Sequence, residues 1–158
     1  MPANDHPHVM TPPPMLHLGG LLIGYSVDQV FGWQLPMTRE YGHLFGPIAL
    51  ALTFPALILL VWTLLLFLRH RTTVMPHKAA SYLITGGPFR LTRNPIYLSF
   101  ALLHAATALS LSSPGMLAAL VAVLFVMNRH VIAAEEAFHA RQFGPTWQAY
   151  RDKVRRWL

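Results

Sequence analysis

The sequence predicts an all-α fold: a polytopic membrane helical bundle of about four transmembrane helices, followed by a C-terminal amphipathic helix. Two observations carry this prediction. Of the 158 residues, 54% are hydrophobic and only 11% are charged, whereas about a quarter of the residues in an ordinary soluble domain are charged. The apolar residues also gather into long runs instead of recurring at amphipathic spacing. This pattern is expected of helices whose sides face lipid.

The N-terminal half begins with a Pro-rich stretch and then gives two apolar runs. Residues 1–15 contain five prolines, so we expect a mobile segment there and a membrane domain over 16–158. The first predicted span covers about residues 16–35 and the second about 44–68. No Lys or Arg precedes the first run, so it lacks the basic region of a signal peptide and is expected to be retained.

Asp28 lies inside the first apolar run. A carboxylate within the bilayer costs several kcal/mol unless it faces protein or water, so such a residue is by default a functional candidate. The other interpretation is that the span is short or tilted and that Asp28 approaches the membrane surface. The sequence leaves both open.

The C-terminal half predicts a helical hairpin. Pro95 suits the first turn of a third span over 95–112, with Asn94 as its N-cap. The tripeptide Ser113-Pro114-Gly115 is a tight turn, and the fourth span covers about 116–134. The third and fourth spans should therefore lie antiparallel and in contact.

The polar continuation of the fourth span should break at Gly144-Pro145. Thr146 then caps a last helix, in which Trp147, Tyr150, Val154 and Trp157 recur at helical spacing. The opposite face is basic. We expect this amphipathic helix to lie at the membrane interface or to fold back over the spans.

The basic residues predict the topology and the environment. Four spans place both termini and the long connection on one side, and that side holds eleven of the twelve Lys and Arg, leaving only Arg39 opposite. The positive-inside rule makes this side cytoplasmic, so we expect a multi-pass inner-membrane protein with cytoplasmic termini. Because the basic residues flank apolar runs, the charge of +6 indicates contact with the lipid bilayer and no nucleic acid. A re-entrant first run, leaving three spans, is the alternative.

Polar residues cluster at the predicted cytoplasmic ends of the third and fourth spans. Arg129 and Glu136 lie seven residues apart, which places both on one helical face, and we take them as the candidate catalytic residues. The nine histidines do not gather at metal-ligand spacing and the chain has no cysteine, so no metal site is predicted. His104, inside the third span, is expected to bond to a neighbouring helix.

A series of short motifs runs through residues 81–158. They are, in order, Thr85-x-Gly87-Pro88-Phe89, Arg93-Asn94-Pro95-x-Tyr97, Glu135-Glu136, Phe143-Gly144-x-x-Trp147-x-x-Tyr150 and Val154-Arg155-Arg156-Trp157. In order and spacing they resemble the isoprenylcysteine carboxyl methyltransferase family and its phospholipid-methylating relatives. That family commonly has His at the position of Asn94 and Tyr at the positions of Phe89 and Trp147. Its substrate-binding Arg aligns with Val131, which leaves Arg129 as the nearest candidate.

The resemblance implies that the last two spans and the C-terminal segment enclose S-adenosylmethionine. Carried over by position, the residues that bind this cofactor would be Leu83, Ile84, Phe89, Arg93, Asn94, Pro95, Tyr97 and Glu135. S-adenosylmethionine presents a carboxylate, an ammonium, a ribose diol and a sulfonium, which require a guanidinium, carboxylates and aromatic faces in one place. We therefore expect Arg93 to bind the methionine carboxylate, Glu135 to bind a ribose hydroxyl or the ammonium, and Tyr97 to pack near the sulfonium.

The sequence thus predicts a membrane methyltransferase that acts on a lipophilic or membrane-partitioned acceptor, which could be a carboxylate, a thiol or a lipid headgroup. Two other functions stay open. One is a membrane reductase that uses NADPH, since sterol reductases resemble the family in their final spans, although the chain has no Gly-x-Gly-x-x-Gly loop. The other is a non-catalytic membrane adaptor whose basic C-terminal helix binds anionic lipid or a partner. For Arg93 and Glu135, the alternative to a role in the site is a membrane-edge ion pair that closes the hairpin.

Overall fold

The computed structural model describes residues 12–35, 38–70 and 82–158, with side chains from residue 43 onward in the second range. Most of the predicted Pro-rich segment lies outside the described residues. Its last residues are helical, because the first helix begins at Pro13. Prolines in the first turn cost little, since the N–H groups they lack have no acceptor there.

Every regular element in the described residues is helical, which confirms the predicted fold class. The helices are α1 (Pro13–Phe31), α2 (Thr38–Arg69), α3 (Pro95–Ser110), α4 (Pro114–Val126) and α5 (Ile132–Lys153), with a short 3-10 turn at Gly87–Arg90 and a π turn at Met127–Val131. Helices therefore stand at all four predicted span positions. The second begins six residues earlier than the predicted boundary of residue 44.

Two helical stretches of the described chain are long and apolar enough to cross a membrane by length and composition. They are His43–Arg69 and Pro114–Lys153, and α3 is a shorter apolar helix. Helix α2 packs on α3, α3 on α4, and α4 on α1. Ser113 caps α4 by accepting a hydrogen bond from the Met116 amide at 3.0 Å, and this turn forms the predicted hairpin.

Asp28 of α1 lies inside the protein at the turn between α3 and α4, and only 5% of it is exposed. Its carboxylate accepts a hydrogen bond from the Ser113 hydroxyl and a second from the Gly115 amide at 2.8 Å. The backbone of α1 comes close here, because a Cβ built at Gly24 would lie 2.6 Å from the Met116 amide nitrogen. Asp28 therefore holds the start of α4 against α1.

The chain turns sharply at Gly144, where φ is 49° and ψ is −125°, a backbone conformation that favours glycine. This confirms the predicted break. The segment beyond it folds back against the chain that precedes α3, since the Tyr150 hydroxyl donates to the carbonyl of Phe89 and Trp147 and Tyr150 are 4% and 8% exposed. The prediction that helical spacing continues to Trp157 is wrong: the helix ends at Lys153, and Val154 is extended, with φ −122° and ψ 132°.

Candidate functional site

The last five residues, 154–158, form a C-terminal tail that is fixed to the start of α3. The Arg93 amide donates to the carbonyl of Arg155 at 3.0 Å. The Thr92 hydroxyl and the Asn94 amide side chain both donate to the carbonyl of Arg156, at 3.0 Å and 2.9 Å. Asn94 occupies the predicted N-cap position, but its side chain binds the tail and does not cap the helix. These bonds explain why the tail is extended.

Glu136 lies between two arginines. Arg156 donates to both of its carboxylate oxygens, from Nε at 3.0 Å and from Nη2 at 2.5 Å. Arg93 Nη2 lies 3.3 Å from the same carboxylate, and Arg156 Nη1 also donates to Asn128 Oδ1 at 2.7 Å. The alternative that Arg93 pairs with Glu135 is therefore wrong, because the partner of Arg93 is Glu136.

Glu135 is bound to a different residue of α3. The Tyr97 hydroxyl donates to Glu135 Oε1 at 2.5 Å, which joins the first turn of α3 to the start of α5. The two residues were predicted in one site, and the structure brings them together. The second carboxylate oxygen of Glu135 can still accept from a ligand, because a carboxylate accepts about four hydrogen bonds.

Arg93 belongs to a cluster of polar and aromatic side chains under the folded-back segment, which we name the Arg93 cluster: Arg93, His139, Trp147 and Tyr150. The Arg93 guanidinium lies 5.8 Å from the centroid of the Trp147 ring. His139 packs on that ring at 5.1 Å between centroids. The Tyr150 hydroxyl donates to the carbonyl of Phe89 at 2.8 Å, which ties the cluster to the segment before α3.

The Arg93 cluster contains buried polar atoms without partners. In the part of the chain that the structure describes, five buried side-chain nitrogens have no hydrogen-bond partner, and four of them belong to this cluster: Arg93 Nε, Arg93 Nη1, His139 Nδ1 and Trp147 Nε1. An unsatisfied buried donor costs about 1–3 kcal/mol, and more when it is charged. Such groups therefore indicate a place where a ligand or ordered water completes the bonding.

The electrostatics of the cluster favour an anionic group. Burial lowers the pKa of the Arg93 guanidinium below its usual range, while the neighbouring Glu136 carboxylate opposes that shift. The guanidinium stays a cation at neutral pH, since arginine does not lose its proton in proteins. Because Glu136 is already shared with Arg156, a second acceptor beside Arg93 would be stabilised.

The apolar members of the predicted cofactor set line the approach to α3. Ile84 is 6% exposed, and Leu83 beside it is half-buried. The Phe89 ring packs edge-on against Phe67 of α2, with the centroids 5.9 Å apart, and Pro95 is buried at the first turn of α3. Of these residues, Phe89 is joined to the Arg93 cluster, through the hydrogen bond that its carbonyl accepts from Tyr150.

Arg129 is not brought to Glu136. It is exposed and lies in the π turn. A π turn places an extra residue in the helical repeat, so the seven-residue spacing does not put Arg129 and Glu136 on one face as it would in a continuous α-helix. The arginine that binds Glu136 is Arg156.

Sequence reasoning missed the roles of Arg156 and His139. Arg156 stands in the last motif, where the sequence predicts it on the basic face of a helix. Its 20-residue separation from Glu136 could not be interpreted without knowing how the chain turns at Gly144. His139 follows Glu136 by three residues, a helical spacing that could have placed it on the same face.

Comparison with protein families identifies one to which the chain belongs. The family model for phospholipid methyltransferases matches residues 46–146, which is more than half of the chain and reaches from α2 to the turn at Gly144. No curated protein and no solved structure matches the chain. The narrower resemblance to isoprenylcysteine carboxyl methyltransferases stays a prediction.

Proposed function

We propose that this chain, which belongs to the phospholipid methyltransferase family and is therefore a membrane methyltransferase, takes its methyl group from S-adenosylmethionine and transfers it to a lipid acceptor. The observation that carries the choice of cofactor is the set of partnerless buried nitrogens in the Arg93 cluster. The membership itself favours methyl transfer over the reductase and adaptor functions. We further propose that this end of the bundle faces the cytoplasm, where a soluble cofactor is available.

The residues present fit the chemical groups of S-adenosylmethionine. The methionine carboxylate would accept from Arg93 Nε or Nη1, neither of which has a partner. The ammonium or the ribose diol would donate to the second oxygen of Glu135, whose first oxygen is bound to Tyr97. The rings of Tyr97 and Trp147 would provide the aromatic faces that stabilise a cation.

The cofactor would supply a methyl group bonded to a sulfonium sulfur. A nucleophile would attack the methyl carbon in line and displace the sulfur. The protein's contribution is therefore mainly positioning. Glu136, predicted as catalytic, is held between Arg93 and Arg156, so we assign it the role of fixing the Arg93 guanidinium and not of contacting the acceptor. The C-terminal tail fixes Arg156 in turn, through the bonds from Thr92 and Asn94 to its carbonyl.

The acceptor would approach from the bilayer. Helix α3 is apolar, and the neighbouring helices α1, α2 and α4 carry many exposed hydrophobic side chains, so a lipid can lie against the bundle with its headgroup level with Tyr97 and Glu135. Arg129 is exposed on the α4 side of this end and can contact an anionic headgroup. The acceptor is thus a membrane lipid with a nucleophilic oxygen, sulfur or nitrogen near the membrane surface.

The proposal is tested with the full chain purified in detergent. We expect S-adenosylmethionine to raise the melting temperature and NADPH to leave it unchanged, because a ligand stabilises according to its concentration relative to its Kd. Incubation with methyl-labelled cofactor and total membrane extract should place the label in a lipid, identified by mass spectrometry. Stabilisation by NADPH alone, or label only in water-soluble products, would contradict the proposal.

The place of Glu135 is tested by calorimetry on the Glu135→Gln variant. We expect the affinity for S-adenosylmethionine to fall about tenfold, since a hydrogen bond to a charged group contributes about 1.5–3 kcal/mol. Asp152→Asn is the matched control, because Asp152 is an exposed carboxylate of the same helix that accepts from Gln148. Unchanged affinity in Glu135→Gln would remove Glu135 from the site.

A further inference from the structure

A second buried polar pair lies away from the Arg93 cluster. His17 of α1 and His104 of α3 are 4% and 1% exposed, and their Nδ1 atoms are 3.2 Å apart. His104 Nε2 also lies 3.1 Å from the carbonyl oxygen of Met116 in α4, which confirms the prediction that His104 bonds to a neighbouring helix. The methyl transfer proposed above uses neither histidine.

The contacts fix where the protons lie on this pair. The carbonyl of Met116 can only accept, so His104 Nε2 carries a proton and donates it. In a neutral imidazole the other nitrogen is then an acceptor, so His104 Nδ1 accepts and His17 Nδ1 must donate to it. By the same rule His17 Nε2 has no proton. A charged pair would place an unpaired cation among apolar side chains, which is far more costly.

His17 Nε2 is the one partnerless buried side-chain nitrogen of the described residues that lies outside the Arg93 cluster. It is thus a buried acceptor without a donor. The tertiary contacts leave this atom unsatisfied although every other imidazole nitrogen of the pair is bonded. Burying an acceptor without a donor is unfavourable, so a group that donates to His17 would stabilise the arrangement.

The imidazole of His17 lines a cleft between α1 and α3. The cleft has a volume of about 170 Å³, which is room for a single small ring or a short stretch of one chain. Its lining is largely apolar and consists of Pro14, His17, Leu18, Leu21, Phe100, Leu103, His104 and Thr107. The Thr107 hydroxyl already donates to the carbonyl of Leu103 at 2.9 Å, so it does not supply the missing donor.

The depth of the cleft restricts its occupant. His104 is the tenth of the 16 residues of α3, which places it about 13 Å along the helix from Pro95. The donor must therefore reach the middle of an apolar helix. The headgroup donors of a diacyl phospholipid lie at the membrane surface, whereas a single apolar chain or ring system that ends in a hydroxyl can carry its donor to this depth.

We propose that the cleft between α1 and α3 is a binding site for a lipophilic alcohol, whose hydroxyl donates to His17 Nε2 while its apolar body lies against Leu18, Phe100 and Leu103. This site is separate from the methyl-transfer site and goes beyond the proposed function. The protonation of the pair makes it selective, because a molecule that only accepts hydrogen bonds cannot satisfy His17.

The test compares two probes on the wild-type chain in phosphatidylcholine liposomes. One is a twelve-carbon primary alcohol with a diazirine in its chain, and the other is its methyl ether, which has the same chain but no donor. After illumination, mass spectrometry locates the label. We expect the alcohol to label peptides from α1 and α3 about fivefold more than the ether, the effect of one net hydrogen bond. Excess unlabelled dodecanol should compete.

Variants test whether His17 is the hydrogen-bond acceptor for the alcohol. In His17→Phe, which keeps a ring but no acceptor, labelling by the alcohol should fall to that of the ether. Thr107→Val is the matched control inside the same cleft, and it should keep the preference for the alcohol. Equal labelling of the wild-type protein by both probes, or label distributed outside α1 and α3, would overturn the proposal. Because the comparison of probes needs only the wild-type chain, it holds even if His17→Phe does not fold.

Discussion

The two ends of the bundle differ in how completely the protein supplies hydrogen-bond partners to a buried charged side chain. At the hairpin end, the Asp28 carboxylate is 5% exposed and accepts from Ser113 and Gly115. At the other end, the Arg93 side chain is 10% exposed, yet two of its three nitrogens have no partner. Both residues lie close to apolar helices, but only Asp28 has its hydrogen bonds completed by the protein.

Under the proposed function, this difference separates a structural charge, Asp28, from one that binds the cofactor, Arg93. In a membrane protein a buried polar group must find its partners within the protein, because lipid offers none. The bonds of Asp28 fix the turn and the start of α4. The open bonds of Arg93 are unfavourable until a ligand completes them, which is what a site selective for a bound anion requires.

Arg93→Ala should produce the largest effect. We expect the affinity for S-adenosylmethionine to fall at least about hundredfold, since two hydrogen bonds from a charged group are removed and each contributes about 1.5–3 kcal/mol. The melting temperature without cofactor should change little, because Glu136 keeps its bonds to Arg156. Calorimetry and thermal unfolding of the same preparation measure both quantities.

Arg90→Ala is the control for that variant, because Arg90 is an exposed arginine three residues earlier and should leave affinity unchanged. A fall in melting temperature for Arg93→Ala with normal affinity would reverse the comparison. It would make Arg93 a structural residue like Asp28.

Asp28→Ala should show the opposite pattern. We expect the free energy of unfolding to fall by about 3 kcal/mol, because the Ser113 hydroxyl and the Gly115 amide lose their acceptor at a buried position. Asp28→Asn keeps one acceptor oxygen and should cost less. Denaturant titration measures the stability, and calorimetry on the folded fraction should show wild-type affinity for the cofactor. Lost affinity at unchanged stability would place Asp28 in a ligand site.

The sequence predicted the elements that depend on local chemistry. Pro95 opens α3 at its first turn and Gly144 breaks α5, as expected from the restricted or permissive backbone of these residues. Pro114, predicted as part of the turn, is instead the first residue of α4. The contact between Tyr97 and Glu135 is also consistent with the predicted hairpin. A tight turn makes adjacent helices antiparallel, so the beginning of one helix lies beside the far end of the other.

What the sequence could not predict depends on tertiary contacts. The tail after Lys153 was expected to be helical, but its carbonyls accept from Thr92 and Asn94, residues about 60 positions earlier. The seven-residue spacing predicts Arg129 and Glu136 on one helical face, but the π turn alters the helical register between them. The first error arises because a contact with another segment overrides the local periodicity of the helix, and the second because the helix itself departs from the α-helical repeat.

The smallest expected effect on the free energy of unfolding is the difference between Gly24→Ala and Gly19→Ala. This comparison tests whether close packing, and not only hydrogen bonding, stabilises the hairpin end. A Cβ at Gly24 would lie 2.6 Å from backbone atoms of Met116, which cannot rotate away, whereas a Cβ at Gly19 meets nothing within 4 Å. Overpacking typically costs about 1–3 kcal/mol, so Gly24→Ala should lower the free energy of unfolding by about 2 kcal/mol. Gly19→Ala should be neutral or slightly stabilising, since alanine is the better helix former. Equal effects from the two substitutions would mean that α1 does not pack tightly on α4. The stability of the hairpin end would then depend on the hydrogen bonds of Asp28 alone.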